Sequence, residues 1–326
     1  MRTISYTEAL REALAEELAR DPAVFLLGED ISCYGGAFGV TRGLRDRFGT
    51  DRVINTPISE LSFVGAAVGA SLVGSRPVVE IMFMDFVVLA MDQLVNQAAK
   101  LHYVFGEQAR CPLVVRVVAG AGRSYGPTHS QSLEAWFMHT PGLKVVAPAT
   151  PADAKAMLKT AIRDDNPVIF IEHKMLYGQK GPVPARGQRP VPFGKARIVT
   201  RGNDVTLVAW SWMAAEAEAA AGELAARGVR AQTIDLRSLC PLDIEPVVES
   251  VRKTGRLLIV EEGCRTGGIS AEIGFQVFEH VYDYLNAPIK RLTTPDVPIS
   301  ASPVLEHAAV PNRERIVAAA MELLGR

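Results

Sequence analysis

The chain has 326 residues, 48% of them hydrophobic and 22% charged, with a formal net charge of −1. That balance fits a globular enzyme of about two domains with a full core, and it excludes an electrostatic footprint for nucleic acid or anionic lipid. The opening stretch MRTISYTEALREALAEEL has no basic segment leading into an apolar one, and no apolar run is long enough to span a bilayer, so neither a signal peptide nor a membrane anchor is expected.

In chain order, Ser5-Tyr-Thr-Glu8 has the capping-box pattern, and Leu10, Leu14 and Leu18 follow at helical spacing. AVFLLGED reads as a buried strand ending in polar residues. FVGAAVGASLVG reads as a helix, RPVVEIMF as a strand, MDQLVNQAAKLHYVF as a helix and CPLVVRVV as a strand. LKVVAP, TPADAKAMLKTAIRD and PVIFIEH complete a strand, helix, strand series. Between Tyr177 and Phe193 the pattern dissolves into Gly, Pro and charge, the composition of a linker. The alternation then restarts with DVTLVAW, AAEAEAAAGELAARG, VRAQTIDL, DIEPVVESVRKTG and RLLIVEEG, and closes with GGISAEIGFQVFEHVYDYL, APIKRLTT and NRERIVAAAMELLG. Apolar runs alternating with helices imply parallel sheets covered on both faces. The expected fold class is α/β, with two doubly wound domains at 1–178 and 194–326 joined by a linker at 179–193. The cysteines Cys33, Cys111, Cys240 and Cys264 are scattered without a CxxC pair, which argues against a metal cluster or disulfide framework and for a reducing, cytoplasmic setting.

Glu60 stands at the mouth of a run of small and apolar residues. A carboxylate buried there is costly unless something bonds or neutralises it. Alone, it reads as a helix-start carboxylate at the positive end of the dipole. Gly65 and Gly69, with Ala66, Ala70 and Gly74, repeat every four residues and allow close approach of another helix, either within the core or across a subunit interface. His129 lies in a Gly-, Ser- and Pro-rich loop after a strand, where open α/β sheets carry function. LKTAIRDDNP runs from a helix end, whose last carbonyls are unpaired, into a turn. Capping chemistry explains it, and so does an oxygen-only cation shell.

Taken in order, GEDISCYGGAFGVTRGL, NTPISE, EIMFMDF, DQLVNQAAK, THSQSLEAWFMHTPGLKVVAPATPADAKAMLKTAIRDDNPVIFIEHKMLY and IDLRSLCPLD resemble the β subunit of the thiamin-diphosphate-dependent 2-oxo acid dehydrogenases, the pyruvate, branched-chain and acetoin enzymes. The likeness covers nearly the whole chain. It implies a transketolase-like pyrimidine-binding domain, a transketolase C-terminal domain, and assembly with α subunits and a second β subunit as an α2β2 tetramer. It implies a catalytic, cofactor-binding role for Glu60 at the aminopyrimidine ring. There a carboxyl group in a dry pocket can hold and release a proton near neutral pH. It implies that Met82 and Phe86 pack on that ring, as a thioether and an aromatic face can. It implies a catalytic role for His129 in transfer of the acyl group to the lipoyl arm of an acyltransferase partner. His139 matches a frequent family histidine and receives no catalytic role. The resemblance further implies a structural potassium ion at Leu113, Ala161, Ile162, Asp164 and Asn166.

The GDG stretch that holds magnesium in thiamin enzymes is missing. GGISAEIG is glycine-rich before a helix but lacks a Walker Lys and the GxGxxG spacing, so it reads as a tight turn. The diphosphate and magnesium are therefore expected on a separate α chain. Glu279 and Asp283, four apart in QVFEHVYDYL, are expected on one helix face, either as a plain solvated face or, as the resemblance implies, as an acidic site for a basic segment of the acyltransferase. A split transketolase-type ketol-transfer enzyme and a non-catalytic flavodoxin-like binding module remain as alternatives, and the identity of the 2-oxo acid stays open.

Overall fold

The computed structural model describes residues 1–185 and 190–326 and divides into two compact units, residues 1–119 with 136–193, and residues 120–135 with 194–326. In the first unit the elements are β1 (Arg2–Ser5), α1 (Tyr6–Arg20), β2 (Val24–Gly28), α2 (Leu44–Phe48), β3 (Val53–Asn55), α3 (Glu60–Leu72), β4 (Arg76–Ile81), α4 (Ala99–Val104), β5 (Val114–Ala119), α5 (Glu134–Met138, which straddles the division), β6 (Lys144–Val146), α6 (Pro151–Arg163), β7 (Val168–His173) and β8 (Lys180–Val183). Six of the strands run in the order β3-β2-β4-β5-β7-β6, each parallel to its neighbour. Strand β5, VVRVVA, is buried throughout, as a parallel strand covered on both faces must be.

The capping box at the start of α1 is present: Ser5 Oγ accepts from Glu8 N, and the Glu8 carboxylate accepts from Ser5 N at 2.7 Å. Helix α1 lies along α6, with buried Lys155 bonded to Glu12 and Glu16. The long helix expected from Met91 is instead a π-helical segment, Asp92–Ala98, that continues into α4, preceded by a 3-10 helix over Met84–Ala90. Of the small residues in α3, a Cβ on Gly65 would come within 3.2 Å of the Gln93 side chain, whereas Gly69 and Ala66 face open space.

The second unit holds β9 (Arg197–Thr200), β10 (Val205–Ala209), α7 (Ser211–Ala226), β11 (Ala231–Asp235), β12 (Ser238–Cys240), α8 (Glu245–Thr254), β13 (Leu257–Cys264), α9 (Ile269–Val281), β14 (Lys290–Thr294), α10 (Pro303–Ala309) and α11 (Arg313–Leu323). Its sheet order is β14-β13-β10-β11-β9, parallel except for the antiparallel edge strand β9. Both units are α/β, as expected.

Two details differ from the expected division. The stretch 179–193 is not all linker, because β8 pairs antiparallel with β1; residues 186–189 of it lie outside the described residues. The loop 120–135 belongs with the second unit rather than the first. Its backbone amides are bonded to carboxylates of that unit, and no apolar pattern in the sequence announces such bonds. Among the described residues no helix is long and apolar enough to cross a membrane.

Candidate active site

In a parallel sheet, the loops that leave the carboxyl ends of adjacent strands gather at one edge. The register pairs Gly28 with both Asn55 and Glu80, so Glu29, Thr56 and Met82 leave β2, β3 and β4 on that edge. Helix α3 begins there at Glu60, with Ser59 as N-cap but without a side-chain capping bond. Glu60 is only 5% exposed, and among the described residues its carboxylate accepts no hydrogen bond. A first-turn position satisfies the helix dipole but not the lost hydration of a buried anion. Beside it, Glu29 Oε1 and Thr56 Oγ1 are buried without hydrogen-bond partners. Burial raises the Glu29 carboxyl above its ordinary range, and the negative charges of Glu60 and Asp30 add to this. The Glu29 oxygen and the Thr56 hydroxyl thus leave hydrogen-bonding capacity unused on the sheet edge where α3 begins, which suits a polar ligand presenting N–H groups and a shareable proton.

Met82 and Phe86 are half-buried, and the 3-10 helix carrying Phe86 packs against α3. Phe86 meets Phe83 edge to face, with ring centroids 5.9 Å apart, and Phe83 in turn meets Phe38 at 5.7 Å. Phe38 stacks on Tyr177 at 4.8 Å. Beneath these rings lies an ion network that the sequence reading missed. Arg116 of β5 bonds Glu172 of β7 at 2.6 and 2.8 Å and also bonds Glu80 of β4, while Tyr177 donates to Glu172 at 2.6 Å. All four residues are buried. Burial keeps the Glu80 carboxyl above its usual range even with Arg116 beside it. A Cβ on Gly36, whose φ is +76°, would fall 2.3 Å from Glu80 Oε1, so this loop needs glycine both for its backbone and for its approach to the carboxylate. A single charge in each of the apolar runs PVVEI, PLVVRVV and PVIFIEH was the available signal.

In the second unit, His129 is half-buried and sits near the tip of the 120–132 loop. Its Nδ1 is 3.1 Å from Thr128 Oγ1, and its backbone N–H donates to Gly126 O at 3.3 Å. Neighbouring Ser130 has a buried Oγ with no partner, at the wall of a cavity of about 800 Å³ that Glu262 also lines. Glu134 is buried, and its carboxyl is pushed up to about 8, first by burial and then by the charges of Glu262 and Glu261. The GGIS turn is confirmed as a turn. Glu261 accepts the amides of Ile269 and Ser270, both at 2.9 Å, and so fills the N-terminus of α9 where a phosphate would have to sit. His139 is exposed.

The oxygen set proposed for potassium lies around the end of α6. Ile162 O and Asp164 O each accept from Arg76 Nη1 at 3.1 Å, Leu113 O accepts from Val168 N at 2.8 Å, and Ala161 O accepts from Asp164 N at 3.2 Å. The Asp164 carboxylate takes Asn166 N and Nδ2 at 2.9 Å and also Lys144 Nζ. Burial opposes its ionisation, but these bonds outweigh burial and hold its carboxyl below the ordinary range. Each carbonyl keeps a second lone pair, so the donor chemistry suits a hard cation although none of these oxygens is orphaned.

Glu279 and Asp283 are exposed and make no ion pair among the described residues, but they do not share one helix face. Helix α9 stops at Val281, and Asp283 lies in the 3-10 turn Tyr282–Tyr284 beyond it. Exposed Phe275, Phe278 and Tyr282 accompany them. Among the described residues no group of three or more His, Cys, Asp or Glu side chains is placed to hold a metal ion.

Residues 2–180 match the family described as transketolase, pyrimidine binding domain, and residues 194–316 match transketolase, C-terminal domain. The chain is 46% identical over 317 residues to the pyruvate dehydrogenase E1 component subunit beta of Rhizobium meliloti, covering 97% of this chain and 69% of that one. It is 45% identical to the acetoin:2,6-dichlorophenolindophenol oxidoreductase subunit beta of Cupriavidus necator, over 99% of this chain and 98% of that one. A solved structure described as a split gene transketolase, inactive beta4 tetramer, superposes with a TM-score of 0.78 at 26% identity and covers 99% of both chains. By its two domains and by identity along its whole length, the chain belongs to the transketolase-like family of 2-oxo acid dehydrogenase β subunits.

Proposed function

We propose that this chain is the β subunit of the decarboxylating component of a 2-oxo acid dehydrogenase complex. In that role it works with an α subunit in an α2β2 tetramer and passes an acyl group to lipoate on an acyltransferase. The observation that carries the reading is Glu60, 5% exposed and without a hydrogen-bond partner among the described residues, on the sheet edge that also holds the unpaired oxygens of Glu29 and Thr56. Identity near 45% to dehydrogenase β subunits, against 26% to the split transketolase, favours this reaction over ketol transfer.

These residues fit the aminopyrimidine end of thiamin diphosphate, whose amino group would satisfy acceptors that the chain leaves unpaired. The bound cofactor supplies an acidic thiazolium carbon and the electron sink for loss of carbon dioxide. Glu60 would hold or release a proton toward the pyrimidine ring of the bound cofactor. Met82 and Phe86 would pack on the ring. His129 would deliver or hold a proton during transfer to the lipoyl arm. The diphosphate and its magnesium would be held by the α subunit, since Glu261 already fills the N-terminus of α9. A structural potassium ion would rest on Leu113, Ala161, Ile162, Asp164 and Asn166.

The test is Glu60→Gln in the reconstituted complex with its α partner, assayed on pyruvate, branched-chain 2-oxo acids and acetoin. The variant keeps size and hydrogen bonding but loses proton exchange. Cofactor binding should persist while deuterium exchange at the thiazolium carbon slows on the order of a hundredfold. An unchanged exchange rate removes Glu60 from the mechanism.

A further inference from the structure

The loop 120–132 closes on itself through Gly120 N, which donates to Gln131 O at 3.0 Å. Between those ends it is short of the apolar side chains that usually anchor a loop, and its backbone is unusual. Gly120, Gly122, Ser124 and Gly126 have φ values of 92°, 94°, 56° and 81°, so every second residue is left-handed. Ser124 is no glycine, and a side chain is seldom found in that conformation. Alternation of this kind turns successive amides toward one side and makes a concave nest for an anion.

The anion is supplied from within the same unit. Glu306 of α10, 5% exposed, accepts Gly122 N on Oε1 at 2.9 Å and accepts both Ser124 N at 2.9 Å and Ser124 Oγ at 3.1 Å on Oε2. A second carboxylate, Glu262 of β13, accepts Ala121 N at 2.6 Å and Ser132 Oγ at 3.2 Å through Oε1. Glu262 therefore ties both legs of the loop and Glu306 ties its ascending side. His129 stands on the segment between. Bonds from backbone amides to a carboxylate are among the stronger hydrogen bonds and fix the donors in direction as well as distance.

We infer that Glu306, seconded by Glu262, is a positioning residue that holds the 120–132 loop in the form that presents His129. The inference rests on the role given to His129 above. It assigns the loop's order to a carboxylate more than 170 residues further along the chain. Glutamine at 306 is the informative change. It has the same shape, but whichever way its amide turns, an NH2 group faces a backbone N–H that now has no acceptor.

The experiment compares wild type, E306Q, S124A and H129A. In the full chain, Glu306→Gln should speed hydrogen exchange of the 121–125 amides about tenfold, the value of one lost hydrogen bond. Ser124→Ala, which removes one donor and leaves the carboxylate, should give a smaller rise and serves if E306Q fails to fold. With the α subunit present, E306Q should lower kcat for acylation of a free lipoyl domain about tenfold, as loss of alignment does, with KM for the 2-oxo acid within about twofold. Decarboxylation with an artificial electron acceptor should stay within about twofold of wild type. Unchanged exchange at 121–125 overturns the clamp. Faster exchange with unchanged acylation, or an equal fall in both reactions, overturns the positioning role. H129A separates the two layers: if it leaves acylation untouched, the reading of His129 fails while the exchange data still decide the clamp.

Discussion

The Glu261 carboxylate accepts the Ile269 amide at 2.9 Å and, through its other oxygen, the Ser270 amide at the same distance. An internal carboxylate thus occupies the glycine-rich helix start of α9 that resembles a phosphate site. Burial raises the Glu261 carboxyl, and the two amides work against that rise. The purified chain, titrated calorimetrically with thiamin diphosphate and magnesium, should show no submicromolar binding, and Glu261→Gln should cost about 1–3 kcal/mol of stability by leaving an amide unpaired. Tight binding by the lone chain would overturn the split of the site between two subunits.

The exposed carboxylates Glu279 and Asp283 flank the end of α9 next to Phe275, Phe278 and Tyr282. Because the helix stops between them, a basic partner would meet them as two rim charges around an apolar centre rather than as a single acidic stripe. Replacing both with Ala should leave assembly with the α subunit and artificial-acceptor turnover intact. It should weaken binding to the acyltransferase a few-fold at low salt and by less at high salt, as screened rim charges do. Equal affinity at low salt moves the docking site elsewhere.

The alternation of buried strands and helices was legible, because a parallel sheet covered on both faces writes itself as apolar runs. Glu60 was legible as an anomaly, a carboxylate at the head of a small-residue helix. Its neighbours were not, because Glu29 and Thr56 look like ordinary strand-end residues until the register of β2 and β3 brings them side by side. The Arg116 network was visible in principle as one charge in each of three apolar runs, yet the pairing depends on strand order, which composition does not carry. The membership of the 120–135 loop was illegible for another reason. It is held by hydrogen bonds from Glu262 and Glu306 to backbone amides, and amides have no sequence signature. Asp283 failed in the opposite direction, since helical spacing was extended past the point where α9 ends.

At the end of α6, Arg76 already brings positive charge to the Ile162 and Asp164 carbonyls, and Lys144 to the Asp164 carboxylate, within the oxygen set proposed for potassium. A bound ion would therefore add to a set that is hydrogen-bonded without it, and its contribution should be moderate. Exchanging potassium for tetramethylammonium at constant ionic strength should lower the Tm of the chain by about 2–4 °C, the scale expected for 1 kcal/mol in domains of this size. No shift across a potassium titration removes the ion from the description.

Glu134 carries the largest pH consequence in the second unit. Its carboxyl is pushed up to about 8 by burial and by the charges of Glu262 and Glu261, against an ordinary value of 4.5. Between those two values the unfolded chain has released the proton and the folded chain keeps it. The unfolded state then binds fewer protons, so stability falls as pH rises, by about 1.4 kcal/mol per pH unit for one such group. Glu80, Glu29 and Glu261 are also raised and act in the same direction. The lowered groups Glu8, Glu16, Asp164 and Asp296 act in the opposite direction, and only at acid pH below their ordinary values. Thermal unfolding of the full chain should therefore show Tm declining from pH 5 toward pH 8. Glu134→Gln, which keeps the shape and removes the titration, should flatten part of that decline and stabilise the protein most at pH 8. If the variant and the wild type lose Tm in parallel over that range, Glu134 is ionised in the folded state and its neighbours do not hold the proton on it.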